Sequence, residues 1–133
     1  MSGGRESVVR GYFAAIDRGD GEGAAAMLHD DVVYHFPGRS PFASTYDGKQ
    51  AVAGYLRRLS EYTGGTLRVQ VHDVTSSAEH VVALSQVTAT HAGVTLSWRL
   101  ALIMHVDEES IREIWLHYGD QHAVDEFLSM ADG

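Results

Sequence analysis

The sequence predicts an α+β fold in a single domain that spans residues 1–133. Three observations lead to this prediction. With 133 residues, of which 44% are hydrophobic, the chain is long enough for one core and too short for two. Apolar residues follow a helical spacing up to Tyr62 and a spacing of two from Thr66 onward. Helices that precede a run of hairpin-linked strands favour an α+β over an alternating α/β arrangement.

Three segments in the first half of the chain have the apolar spacing of an amphipathic helix. They are Ser7–Arg18, about Glu22–Leu28, and Lys49–Tyr62. Gly19 ends the first helix, Asp20 can cap the second, and Gly64 ends the third. A short closing helix is predicted after Asp120, which can serve as its N-cap.

Five segments have the composition and the alternation of strands. They are Val32–Phe36, the segment from Thr66 to the turn at Ser76, Val81–Thr90, Val94–Val106 and Ile111–Tyr118. The first strand ends at Pro37, and the stretch Arg39–Gly48 that follows is predicted to be a loop. Short turns join the four later strands, so we expect them to form one curved antiparallel sheet.

The predicted helices can cover the concave face of such a sheet, which leaves a conical cavity between the two layers. A cavity of this kind suits a small, largely apolar ligand. The opposite sheet face then needs a cover of its own, and we expect a homodimer contact there.

Composition excludes several classes of partner. Ten Lys and Arg residues against 18 Asp and Glu residues give a net charge of −8, which repels nucleic acid and anionic membrane surfaces. The chain has no cysteine, which excludes disulfides, thiolate metal sites and a cysteine nucleophile. No apolar run is long enough to span a bilayer, and the first residues lack the apolar core of a signal peptide. We therefore expect a soluble, cytoplasmic protein.

The sequence gives no pattern for a metal or an organic cofactor. Eight histidines are present, but they lack the spacing of a ligand set, and His117 and His122 flank Asp120 across a predicted turn. The glycine pairs are helix ends and turns rather than phosphate-binding loops. We expect neither a metal nor a cofactor.

Four segments resemble the nuclear-transport-factor-2-like superfamily, and within it the SnoaL-like branch that includes polyketide cyclases and is related to ketosteroid isomerases. They are Val9–Asp20, Leu28–Tyr34, Tyr46–Val52 and Ile111–Trp115. The resemblance implies a cone-shaped α+β barrel that is usually dimeric. It leaves the function open, because this fold hosts isomerases, cyclases, dehydratases, epoxide hydrolases and non-catalytic modules.

The catalytic residues of the related ketosteroid isomerases match this chain only in part. Their tyrosine oxyanion donor falls on Tyr12. Their catalytic base is an aspartate before a proline, where this chain has Phe36, and their second donor falls near Leu102. Resemblance to SnoaL-like cyclases, which use an acid/base aspartate, points to Asp120. Steroid isomerisation of the ketosteroid-isomerase type is therefore not expected.

Three candidate residues have two interpretations each. His117, oriented by Asp120, can act as a general base, or it faces the dimer contact while Asp120 caps the last helix. Strand alternation decides this, because His117 faces away if Leu116 faces the cavity. His35 faces away for the same reason unless its strand bulges. Tyr12 is either an oxyanion donor or a core tyrosine.

Two main functional hypotheses follow. The first is an enzyme that performs isomerase, cyclase or dehydratase chemistry on a small apolar carbonyl- or hydroxyl-bearing molecule, with Tyr12, His117 and Asp120 as catalytic residues. The second is a non-catalytic module that binds a hydrophobic metabolite; a weaker third is an interaction module that uses the open sheet face. The residues expected to line the cavity are Phe13, Ile16, Tyr34, His35, Phe36, Tyr55, Leu59, Trp98, Leu100, Leu102 and Tyr118.

Overall fold

The computed structural model describes residues 3–107 and 109–130, and it confirms the predicted α+β fold. Within these ranges the chain forms four helices, α1 (Gly3–Asp17), α2 (Gly21–Ala26), α3 (Lys49–Tyr62) and α4 (Gln121–Leu128). The same residues form six strands, β1 (Leu28–Phe36), β2 (Ser44–Asp47), β3 (Arg68–Ser76), β4 (Val81–His91), β5 (Val94–Val106) and β6 (Ile111–Tyr118). No helix among the described residues is long and apolar enough to cross a membrane.

All six strands belong to one sheet with the order β2-β1-β6-β5-β4-β3. Neighbouring strands are antiparallel except β1 and β6, which pair in parallel. Register shifts interrupt the pairing of β3 with β4 and of β5 with β6, and irregularities of this kind increase the local twist and bend a strand. The sheet is therefore curved, as the sequence predicts.

Several bounds differ from the sequence prediction; α1, for example, begins at Gly3 rather than Ser7. The loop predicted for Arg39–Gly48 contains β2, whose four residues are mostly exposed and pair only with β1. The second helix ends at Ala26 rather than Leu28, and β1 begins at Leu28. The backbone N–H of Ile111 donates to the carbonyl of Met27 at 2.8 Å, so pairing with a distant strand determines where β1 begins.

The sheet has two different faces. Buried residues of β5 alternate with more exposed ones, and the buried set shares one core cluster with residues of all four helices. We call the side that packs on the helices the inner face. The outer face carries Val82 and Leu84 of β4, Ala101 and Ile103 of β5, and Trp115 and His117 of β6. These residues lie in cross-strand register, so they form one continuous surface.

The turn between β5 and β6 is held by Asp107. Its carboxylate accepts hydrogen bonds from the backbone N–H groups of Glu109 and Ser110, at 2.9 and 2.7 Å, and from Nε of Arg112 at 2.7 Å. The N–H of Glu109, followed by the guanidinium of Arg112, lowers the pKa of Asp107 to about 2. The ionised carboxylate is thus favoured in the folded chain.

Because the pKa of Asp107 is lower in the folded than in the unfolded chain, its contribution to stability is complete above about pH 4 and is lost as the pH falls towards 2. Asp107→Asn should therefore unfold with a shallower pH dependence in this window. Urea unfolding at several pH values measures the slope. Equal slopes for the two proteins would contradict this role of the turn.

Candidate functional site

A cavity of about 50 Å³ lies between the helices and the inner face. Aliphatic side chains, aromatic rings and phenols form its walls. The lining residues are Tyr12, Phe13, Ile16, Tyr34, Tyr55, Leu56, Leu59, Leu67, Val69, Val87, Trp98, Leu100, Leu102, Leu116 and Tyr118. None of the described lining residues is acidic or basic. The site therefore favours a neutral, largely apolar occupant.

Most of the side chains proposed from sequence meet at this cavity. They are Tyr12, Phe13, Ile16, Tyr34, Tyr55, Leu59, Trp98, Leu100, Leu102 and Tyr118. Sequence reasoning did not select Leu67 and Val69 of the β3 region, although their period-two alternation was a usable signal. Val87 was also missed, because nothing local distinguishes it from other apolar residues of a buried strand.

The structure does not bring His117 and Asp120 to the cavity, which corrects the proposed acid/base pair. Leu116 and Tyr118 line the cavity, so strand alternation turns His117 onto the outer face, where it pairs in register with Ala101. Both His117 and Asp120 are exposed. The carboxylate of Asp120 accepts from the N–H of Ala123 at 3.0 Å and caps α4.

His35 and Phe36 also lie outside the cavity lining. His35 points to the outer face, where its Nε2 lies 2.7 Å from Oε2 of Glu113 and its ring stacks on Trp115. The strand irregularity in β1 lies between Leu28 and Val33, so it does not turn His35 inward. Phe36 is buried behind the wall, with its ring centroid 5.3 Å from that of Tyr55. It supports the cavity rather than facing it.

Two hydrogen-bond donors at the cavity have no partner among the described residues. They are the hydroxyl of Tyr12, a side chain only 1% exposed, and Nε1 of Trp98, whose side chain is 7% exposed. Buried polar groups are normally hydrogen-bonded, because an unpaired one costs about 1–3 kcal/mol. Two unpaired donors that line one small cavity therefore indicate an occupant with hydrogen-bond acceptors.

The phenols around the cavity stay protonated at neutral pH. Burial raises the pKa of the Tyr12 hydroxyl, and it does the same for Tyr34, Tyr55 and Tyr118. The hydroxyls of Tyr34 and Tyr55 lie 3.4 Å apart and form a weak mutual hydrogen bond. These groups can donate hydrogen bonds, but they cannot act as ionised bases near pH 7.

The outer face carries a depression larger than the interior cavity. A groove of about 610 Å³ lies at one end of the outer face, where His35, Trp115, His117 and Gln121 contribute to its walls. It is open to solvent, so polar groups along it can be hydrated. The unpaired donors lie in the interior cavity instead. We therefore treat the interior cavity as the candidate site.

A thin partition separates the interior cavity from a shallow depression between the α1–α2 turn and the α3–β3 turn. The residues that border both spaces are Ile16, Leu56, Leu59 and Leu67. Gly19 and Gly65 flank the depression with φ angles of 74° and 75°, which only glycine adopts readily.

Comparison with known proteins identifies the family. The sequence profile of the SnoaL-like domain matches residues 9–114. The chain belongs to the SnoaL-like family. It is 30% identical over 121 residues to the uncharacterized protein Rv0034 of Mycobacterium tuberculosis (strain ATCC 25618 / H37Rv), and the match covers 90% of this chain and 92% of the relative.

Solved structures support the same fold for this SnoaL-like chain. Bal32a, from a soil-derived mobile gene cassette, superposes with a TM-score of 0.90 at 25% identity and covers 96% of this chain and 98% of its own. An NTF2-like protein from Burkholderia xenovorans LB400 superposes with a TM-score of 0.76 at 22% identity, covering 94% of this chain and 95% of its own. The resemblance proposed from sequence is confirmed.

Proposed function

We propose that this SnoaL-like chain binds one small, neutral, largely apolar molecule with a carbonyl or hydroxyl oxygen in its interior cavity. The observation that carries the proposal is the buried hydroxyl of Tyr12, which lies among apolar walls and has no partner in the described part of the chain. A ligand oxygen would supply the missing hydrogen bond, worth about 0.5–1.5 kcal/mol net. The absence of acidic and basic groups among the described lining residues disfavours a charged ligand.

We expect a ligand to enter by movement of the partition. The cavity of about 50 Å³ is small for an organic molecule, since one water occupies about 30 Å³ in the liquid. Leu56 and Leu59 are the two members of the partition that come from α3, and like the other two they border both the cavity and the shallow depression. Rotation of such aliphatic side chains widens a cavity without breaking a hydrogen bond. Binding is thus coupled to a local repacking between α1 and α3.

Catalysis is the second candidate function, and Tyr12 is the observation that favours it. A protonated phenol in an apolar cavity can stabilise negative charge that develops on a carbonyl oxygen, as an isomerase, cyclase or dehydratase requires. The described cavity walls contain no carboxylate or imidazole to move a proton. Binding without turnover is therefore the function that the geometry supports best.

We also propose that the outer face forms a homodimer contact. All four helices pack on the inner face, and the outer face keeps Leu84 39% exposed beside the half-buried Ile103 and Trp115. An apolar, aromatic-containing surface of this kind is typical of a self-association surface. A two-fold dimer would place the same residues of both copies against each other.

Tyr12→Phe should weaken binding of cyclohexanone about tenfold, because it removes the donor and leaves the shape of the ring unchanged. Tenfold corresponds to about 1.4 kcal/mol, the size of one hydrogen bond. Methylenecyclohexane, which has the same shape without the oxygen, should bind both proteins equally. Titrations followed by ¹H–¹⁵N spectra measure the four dissociation constants. The proposal is wrong if the ketone binds no more tightly than the hydrocarbon, or if Tyr12→Phe leaves ketone binding unchanged.

A further inference from the structure

We propose that Trp98 provides a second recognition donor, so that the cavity selects a neutral ring compound with two acceptor oxygens, one for Tyr12 and one for Nε1 of Trp98. This inference rests on the proposed function and narrows its ligand class. It assigns hydrogen-bond donation to Trp98, a side chain that would otherwise be regarded only as an apolar part of the cavity lining. A dione is the simplest ligand that meets both requirements.

Trp98 is buried in a way that leaves its indole N–H without an acceptor among residues 3–107 and 109–130. It lies on the inner face of β5, in register with Val87 of β4, and its ring centroid is 5.8 Å from that of Phe127. Among the described residues, the only buried side-chain polar atoms without a partner are Nε1 of Trp98 and the hydroxyl of Tyr12. Both residues line the same cavity.

The two donors come from opposite layers of the fold. Tyr12 belongs to α1, which covers the inner face, whereas Trp98 belongs to the sheet itself. A ligand held between the layers therefore meets one donor on each side. Two oxygens on different sides of one ring satisfy both donors, whereas a single oxygen satisfies both only if they converge.

The chemistry of the two donors restricts the ligand further. A phenol hydroxyl can donate or accept a hydrogen bond, but an indole N–H can only donate. The atom that meets Trp98 must therefore be an acceptor, such as a carbonyl or ether oxygen. Aromatic rings of Phe13, Tyr34 and Tyr55 form part of the remaining wall beside aliphatic side chains, which favours a compact ring between them.

The chain offers a built-in control for testing this inference. It contains two tryptophans, Trp98 on the inner face and Trp115 on the outer face. Each gives its own indole N–H signal in a ¹H–¹⁵N spectrum. Titration with cyclohexane-1,4-dione should shift the Trp98 signal downfield as a hydrogen bond forms, and the Trp115 signal should stay in place.

Substitutions at the two tryptophans measure how much each indole contributes to the affinity for the dione. Trp98→Phe should weaken binding of the dione about tenfold and binding of cyclohexanone less than threefold, since the monoketone is held by Tyr12 alone. Trp115→Phe is the matched control and should leave both constants unchanged. If Trp98→Phe does not fold, the indole signals of the unmodified protein decide the question.

The outcomes separate this inference from the proposed function. If the dione binds in a way that depends on Tyr12, but the Trp98 signal does not move and Trp98→Phe has no effect, the second donor is refuted and the proposed function stands. If neither the dione nor cyclohexanone binds, or if both shift only the indole N–H signal of Trp115, both proposals are overturned. A dione that binds no more tightly than cyclohexanone also refutes the two-oxygen ligand class.

Discussion

Replacing Val69 with phenylalanine should weaken binding of cyclohexanone by at least about thirtyfold, or about 2 kcal/mol. Val69 lines the interior cavity from β3 and is only partly buried. A phenyl ring at this position would extend into a space of about 50 Å³ and occupy the volume that the ligand needs. An engineered cavity of about 150 Å³ binds benzene in another protein, so a cavity that side-chain rotation widens for one ring has no room for a phenyl group and the ketone together.

Val71→Phe provides the matched control for this substitution. Val71 is two residues further along the same strand, has the same partly buried status and packs against the core, but it does not line the cavity. The control should bind cyclohexanone within about twofold of the unmodified chain. Isothermal or spectral titrations of both variants measure the difference. If both variants lose binding equally, or neither does, the ligand does not occupy the interior cavity.

Leu84→Glu should convert the proposed homodimer into monomers at micromolar concentration. In a two-fold contact through the outer face, each copy would bring a new carboxylate into a partly dehydrated surface of a chain whose net charge is already −8. Like charges placed together at an interface cost several kcal/mol, so the dimer should dissociate at least about a hundredfold more readily. Sedimentation equilibrium reports the change directly.

Val94→Glu is the control for the dimer experiment. Val94 is 46% exposed and lies at the β4–β5 turn, away from the row of residues that joins Leu84, Ala101 and His117 across the outer face. The same charge should leave its dimer intact. A monomeric unmodified chain, or equal dissociation of the two variants, would rule out the outer face as the contact.

The spacing of apolar residues predicted correctly those helices and strands whose ends are marked by glycines or short turns. The bounds of α3 (Lys49–Tyr62), β5 (Val94–Val106) and β6 (Ile111–Tyr118) agree with the structure, because glycines and short turns delimit segments of clear apolar spacing. Strand β2 was missed because its exposed residues become a strand only by pairing with β1. A polar edge strand carries no periodic signal of its own.

The candidate site could likewise be predicted only where a local sequence signal exists. Tyr12 could be proposed from its place on the apolar face of α1, and the structure brings it to the cavity. The position of His117 depended on a single residue of strand register, which composition and spacing do not determine. The unpaired state of the Trp98 indole depends on how α4 and the sheet pack around it, so only the three-dimensional structure shows it.

A crystal structure of the chain soaked in cyclohexanone shows directly where a ketone binds. We expect one ketone in the interior cavity, with its oxygen at hydrogen-bond distance, about 2.7–3.0 Å, from the hydroxyl of Tyr12. The side chains of Leu56 and Leu59 should be displaced relative to the unliganded chain. A ketone found only in the groove beside His35 and Trp115, with the interior cavity unchanged, would refute binding between the two layers.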